Sequence, residues 1–174
     1  MFFVDASHFV LAPFLGYIWS FVRVFVRAPS GRQRFNVLGA LAAVTHQLMT
    51  VTNETYITAD SVCELLEKIA RLGMVRPITV VLDNARYQRC TKVYERAARL
   101  GIELLFLPLY SPNLNLIERL WGFVKDECLY SKYYAEFSGF KGAIETCLAE
   151  TQGRHRAAMV SLLTLKFQLF NNLK

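Results

Sequence analysis

The chain has 174 residues, with 20 Lys and Arg against 14 Asp and Glu for a formal net charge of +6. Apolar residues make up 53% and charged residues 20%, which excludes a disordered or low-complexity chain and fits one domain, 1–174, with a sizeable core. The basic balance, pI about 9.3, admits a polyanionic partner such as nucleic acid without requiring one.

The elements follow in chain order. Phe2-Phe3-Val4 reads as the stub of a buried strand that ends at Asp5. Ala6 to Val22 carries no formal charge and is short for a membrane span, which needs about 20 apolar residues. Asp5 in front, Pro13 and Gly16 inside, and Arg23, Arg27, Arg32 and Arg34 after it rather than before it argue against a span or a secretory signal. The same arginines, interleaved with Phe21, Phe25 and Phe35, read equally as a track for DNA phosphates or as a solvated edge. Residues 34–43 and 47–52 read as two strands joined near His46.

The period then changes. Val62, Leu65, Leu66 and Ile69 fall at helical spacing, Ser61 and Glu64 have the spacing of a capping box, and Gly73 is a stop. Ile78 to Leu82 is a β-branched run that reads as a central strand ending at Asp83-Asn84. A helix is expected over Tyr87 to Leu100, closed by Gly101, then a strand from Ile102 to Leu107 stopped by Pro108. After the turn Pro108 to Asn113, an amphipathic helix starts near Asn115 and puts Ile117, Leu120, Trp121 and Val124 on one face. From about Glu136 the chain is helical by pattern. This order predicts an α/β fold: a mixed sheet with leading antiparallel strands, then parallel β-α-β units, with helices on both faces.

Three acids stand at the ends of apolar elements: Asp5, Asp83 and Glu118. Chemistry in open α/β sheets gathers beyond the carboxyl ends of strands. If the first and central strands are parallel neighbours, Asp5 and Asp83 emerge side by side, and the following helix can bring Glu118 to them. Three converging carboxylates repel unless a cation lies between them, and oxygen-only ligands select Mg²⁺ or Mn²⁺ over zinc. A pair of such ions is the usual machinery of phosphodiester chemistry. Each acid also has a plainer reading: Asp83 or Asn84 as a helix cap, Asn115-x-x-Glu118 as a capping box, Asp5 as a polar residue leaving a strand.

The segments around the acids form a pattern. They are Val4-Asp5-Ala6-Ser7-His8-Phe9, then Val81-Leu82-Asp83-Asn84-Ala85-Arg86-Tyr87, then Leu107 to Trp121 with its Pro-Leu-Tyr-Ser-Pro-Asn-Leu-Asn-Leu-Ile-Glu core. Together they resemble the catalytic core of DDE transposases of the mariner-like superfamily, in particular the bacterial insertion-sequence branch, over a motif-covered core of 4–128 with a helical part at about 136–174. The resemblance implies a ribonuclease-H-like fold. It implies that Asp5, Asp83 and Glu118 are catalytic and bind two Mg²⁺ (or Mn²⁺) ions. It implies phosphodiester cleavage at element ends and attack of the freed 3′-hydroxyl on target DNA, by a dimer or larger assembly that inserts at TA dinucleotides. Two positions depart from the pattern: Gln88 where many relatives have His, and Leu116 where many have Pro. The helix-turn-helix region that precedes the first acid in the family is expected to be absent.

Basic and polar residues beside the motifs, namely Asn84, Arg86, Arg89, Arg119 and Lys125, are the candidate DNA contacts. His8 reads as structural and Trp121 as core, while Tyr110-Ser111-Pro112 reads as the turn that aims Glu118. Arg154-His155-Arg156 reads as surface. Cys63, Cys90, Cys128 and Cys147 contain no CxxC pair, so a reduced, cytoplasmic protein without a disulfide framework or zinc knuckle is expected. Two other readings remain: a catalytically inactive DNA-binding or dimerising fragment, and a structure-selective nuclease of the same fold. No Gly-rich phosphate loop favours a small-molecule phosphotransferase.

Overall fold

A computed structural model describes residues 1–11, 21–22, 33–74, 77–109 and 111–167. Trp19, Tyr110 and the arginines at 23, 27 and 32 lie outside the described residues, as does most of the uncharged stretch.

Among the described residues five strands form one mixed sheet in the order β3-β2-β1-β4-β5. They are β1 (Phe2–Val10), β2 (Arg34–Ala42), β3 (Leu48–Asn53), β4 (Ile78–Leu82) and β5 (Ile102–Phe106). β1 runs antiparallel to β2 and parallel to β4, and β4 is parallel to β5, so the predicted mixed sheet is the observed one. The strand expected to end at Asp5 instead continues to Val10. Its second half pairs fully with β2, from Asp5 opposite Gly39 to Val10 opposite Arg34. Ladder bonds to β2 thus carry the strand past the residue at which it leaves β4.

Strand side chains alternate between faces, and this alternation divides the core. Phe3 and Phe9 pack with Val37, Leu120, Trp121 and Val124 on one face, while Phe2 and Val4 pack with Leu38, Val62, Leu66 and Val93 on the other. Asp5, lying between Phe3 and Ser7, goes to the first face. Helices α1 (Ala59–Ala70) and α2 (Thr91–Arg99) cover the second face; α3 (Ile117–Cys128), α4 (Phe137–Ala149) and α5 (Arg156–Leu162) cover the first. Among the described residues no helix is long and apolar enough to cross a membrane.

Three local readings are corrected. The α1 cap is Thr58, whose N–H donates to Ser61 Oγ at 3.2 Å; Ser61 lies within the helix and is not its cap. α2 begins at Thr91, not Tyr87, because residues 86–88 turn tightly, with the Gln88 and Arg89 amides both on the Ala85 carbonyl at 3.0 Å. Its cap is Cys90, so neither Asp83 nor Asn84 caps it. Gly73 and Gly101 do close α1 and α2 with φ of 60° and 65°, a region glycine enters without steric cost.

Candidate active site

Asp5 and Asp83 come together through strand register. The β1–β4 ladder pairs Phe2 with Val80 and Phe3 with Val81; two residues further along the chain from the last pair lie Asp5, within β1, and Asp83, just past the end of β4. Glu118 arrives on the first turn of α3, after a single 3₁₀ turn at Pro112–Leu114. All three acids line one cavity of about 330 Å³, walled by Asn84, Leu107, Pro108, Pro112 and Asn115.

Their charges act on one another. Asp5 is buried, and its pKa is pushed up to about 7, first by desolvation, then by the Glu118 and Asp83 carboxylates. Glu118, on the rim, is also raised by desolvation; Lys125 on the same helix opposes that rise and Asp83 adds to it. Burial and the two aspartates similarly raise the Tyr87 hydroxyl. Among the described residues no three Asp, Glu, His or Cys side chains are drawn tightly enough to enclose an ion unaided. The donor set is nevertheless what a hard cation takes: carboxylate oxygens, mutually repelling, in a cavity wide enough for an ion and its waters.

The plainer readings fail at two of the acids. Asn115 does not cap α3. Its side-chain Nδ2 donates to the Val4 carbonyl at 3.1 Å, and Leu116 occupies the cap position. Asp83 Oδ1 accepts from the Ala85 N–H at 3.3 Å within its own loop. Leu116, one of the departures from the family pattern, has φ of −58°, a value proline also holds, so the turn is kept. Gln88, the other, is fully buried and does not line the cavity.

The candidate DNA contacts divide. Asn84 uses its Nδ2 on the Leu107 carbonyl and its Oδ1 on Arg89, whose guanidinium also lies over the Phe106 ring, so both residues pin the ends of β4 and β5 together. Arg119 is spent on the C-terminal segment, donating to the carbonyls of Leu162, Thr164 and Lys166 and lying over Phe167. Arg86 is exposed. Lys125 stands within electrostatic reach of Glu118. Sequence reasoning missed Lys166, which joins Glu118 and Asn113 around an adjoining cavity of about 600 Å³; nothing in its local sequence marks it. His8 lies on the opposite face from Asp5 and bonds Asn36 Oδ1 through Nδ1 at 2.7 Å, consistent with its structural reading.

Residues 1–141 match the family described as DDE superfamily endonuclease. No curated protein matches the chain. Among solved structures, Mos1 transposase in a pre-cleavage transpososome aligns with a TM-score of 0.62 at 12% identity, over 98% of this chain and 56% of that one. The HTLV-2 integrase catalytic core domain, solved in complex with magnesium, aligns with 0.56 at 14% identity, over 88% of this chain and 86% of that one. A chain of the simian T-cell lymphotropic virus intasome aligns with 0.60 at 16% identity, over 99% of this chain and 50% of that one. The chain therefore spans about half the length of the transposase and intasome chains, and it shares the ribonuclease-H-like fold of transposases and integrases.

Proposed function

The chain belongs to the DDE superfamily endonucleases, and from that premise we propose that it is a transposase catalytic domain that cuts DNA at the ends of a mobile element and joins the freed 3′ ends to target DNA. The observation that carries the reading is the meeting of Asp5, Asp83 and Glu118, from three separate segments, around one cavity in which each is exposed to the field of another. Asp5, Asp83 and Glu118 would hold Mg²⁺ or Mn²⁺, two ions in the full arrangement. Such a cation supplies a deprotonated nucleophile and charge stabilisation at the phosphate.

The protein's own groups do the rest. A cation beside Asp5 would offset the burial and the neighbouring charges that raise its pKa, so that the carboxylate would serve as a ligand near neutral pH. Arg86, exposed three residues after Asp83, Lys125, whose charge reaches Glu118, and Lys166, at the adjoining cavity, meet backbone phosphates by charge alone and so without reading sequence. DNA ends and target DNA are the partners, engaged by a dimer or larger assembly.

The test is cleavage and strand transfer on a labelled DNA duplex with Mn²⁺. Asp83→Ala should abolish both while leaving the fold intact by circular dichroism. Wild-type cutting by that variant would overturn the mechanism. Cutting without joining would assign a nuclease instead, and DNA binding without either would assign an inactive fragment.

A further inference from the structure

The helix that delivers Glu118, together with Asn115 just before it, also grips the strand that carries Asp5, at two consecutive residues. Asn115 Nδ2 donates to the Val4 carbonyl, and the Trp121 Nε1–H donates to Asp5 Oδ2, each at 3.1 Å. The two donors stand three residues before and three residues after Glu118. An indole N–H can only donate and a backbone carbonyl can only accept, so both directions are fixed by chemistry. Trp121 is 1% exposed and Asp5 9%, so water has little access to compete for the bond.

The indole reaches Asp5 because of a gap in the neighbouring strand. Gly39 lies directly opposite Asp5 in the β1–β2 ladder. A methyl group there would come within 2.8 Å of Trp121 Cη2 and 2.9 Å of Cζ2 and of Ile117 Cδ1. The ring therefore rests on bare backbone, stacked edge-on against Phe9 at 6.3 Å between centroids. Phe at 121 would fill most of this space. What Trp adds is the N–H.

We propose that Trp121 is a positioning residue of the site: its N–H fixes Oδ2 of Asp5 so that the second oxygen, Oδ1, is presented to the cation, and Gly39 keeps the space in which the ring does so. This rests on the reading of Asp5 as a cation ligand. Trp121 touches neither cation nor DNA; it acts through the carboxylate it holds. A ligating group is commonly oriented by an outer partner in this way, and loss of such a partner weakens metal affinity by about 10–100-fold.

Two measurements on the full chain test it. The chain has two tryptophans, so Trp19→Phe leaves Trp121 as its one indole. Mg²⁺ added to that protein should shift the emission of Trp121 along a saturable curve, because the carboxylate receiving its hydrogen bond changes partner. Emission indifferent to Mg²⁺ would overturn the proposal, whatever the other variants do. The dissociation constant for Mn²⁺, read from the paramagnetic resonance of free ion, should rise about tenfold in folded Trp121→Phe. Wild-type affinity in that variant, with affinity lost in Asp83→Asn, would overturn the role of Trp121 alone. Mn²⁺ binding untouched by Asp83→Asn would overturn the carboxylate reading itself, and the role of Trp121 with it.

Discussion

The side-chain amide of Asn115 hydrogen-bonds the carbonyl of Val4 across 111 residues of sequence, tying the entry of α3 to the peptide just before the first acid. Asn115→Ala leaves that carbonyl without this donor in a buried place. A loss of about 1–3 kcal/mol of stability is expected, read as a lower urea midpoint, together with slower DNA cleavage because Glu118 and Asp5 lose a common reference.

The raised pKa of Asp5 makes a prediction about pH. Its value is about 7 in the folded chain and about 3.9 when unfolded. Between these the folded chain holds a proton that the unfolded chain has released, so stability falls as pH rises through this window. Thermal melts of metal-free protein should therefore give a higher Tm at pH 5 than at pH 8. Glu118 shifts in the same direction. Asp5→Asn should flatten most of the dependence and raise Tm at pH 8; saturating Mg²⁺ should flatten it as well. A metal-free melt that improves with rising pH would contradict the assignment.

Gly39→Ala places a methyl group against the indole of Trp121 and the end of Ile117. Overpacking of this kind typically costs about 1–3 kcal/mol. Both contacts belong to α3, so the variant should also displace Glu118. Calorimetry and a cleavage assay should show both losses, larger than those of an exposed glycine such as Gly122→Ala, where the added carbon meets nothing.

The cations beside the motifs should separate by salt dependence. Arg86→Ala should weaken DNA binding on any sequence and reduce the slope of log affinity against log salt by about one. Arg89→Ala should leave the slope alone and instead loosen the junction of β4 and β5, because its guanidinium is occupied by Asn84 and Phe106. Arg119→Ala should expose residues 162–167 to protease, since its guanidinium holds their carbonyls. Fluorescence anisotropy at several salt concentrations and limited proteolysis decide the matter.

Hydrophobic period was enough to place the sheet and most helices: β4 is a β-branched run, and α1 and α3 show their buried stripes plainly. The site was legible through residues whose chemistry is local, an acid leaving a strand or opening a helix. Less legible were contacts made across distant segments. Trp121 sits on the apolar stripe of α3 and reads as core, which it is; the bond from its nitrogen to Asp5 depends on a strand 116 residues earlier. Asn115 has a cap's spacing, but the carbonyl it serves is on β1. Asn84, Arg89 and Arg119 carry the polarity of DNA contacts, and the partners they have within the protein, backbone carbonyls and rings of distant segments, leave no mark in the local sequence. The extension of β1 to Val10 was hidden because pairing with β2, and not any period within residues 6–10, sustains it.

The separation of 116 positions between Asp5 and its indole donor also sets a sequence of events during synthesis. A ribosome adding roughly 5–20 residues per second takes on the order of ten seconds to cover that interval. Until the chain reaches α3, Asp5 and, once it is made, Asp83 exist without Glu118 and without the indole that bonds Asp5. Under the proposed function, a growing chain near DNA would be unable to cut until α3 has emerged and docked, and the docking that buries Trp121 would also bring in the third acid.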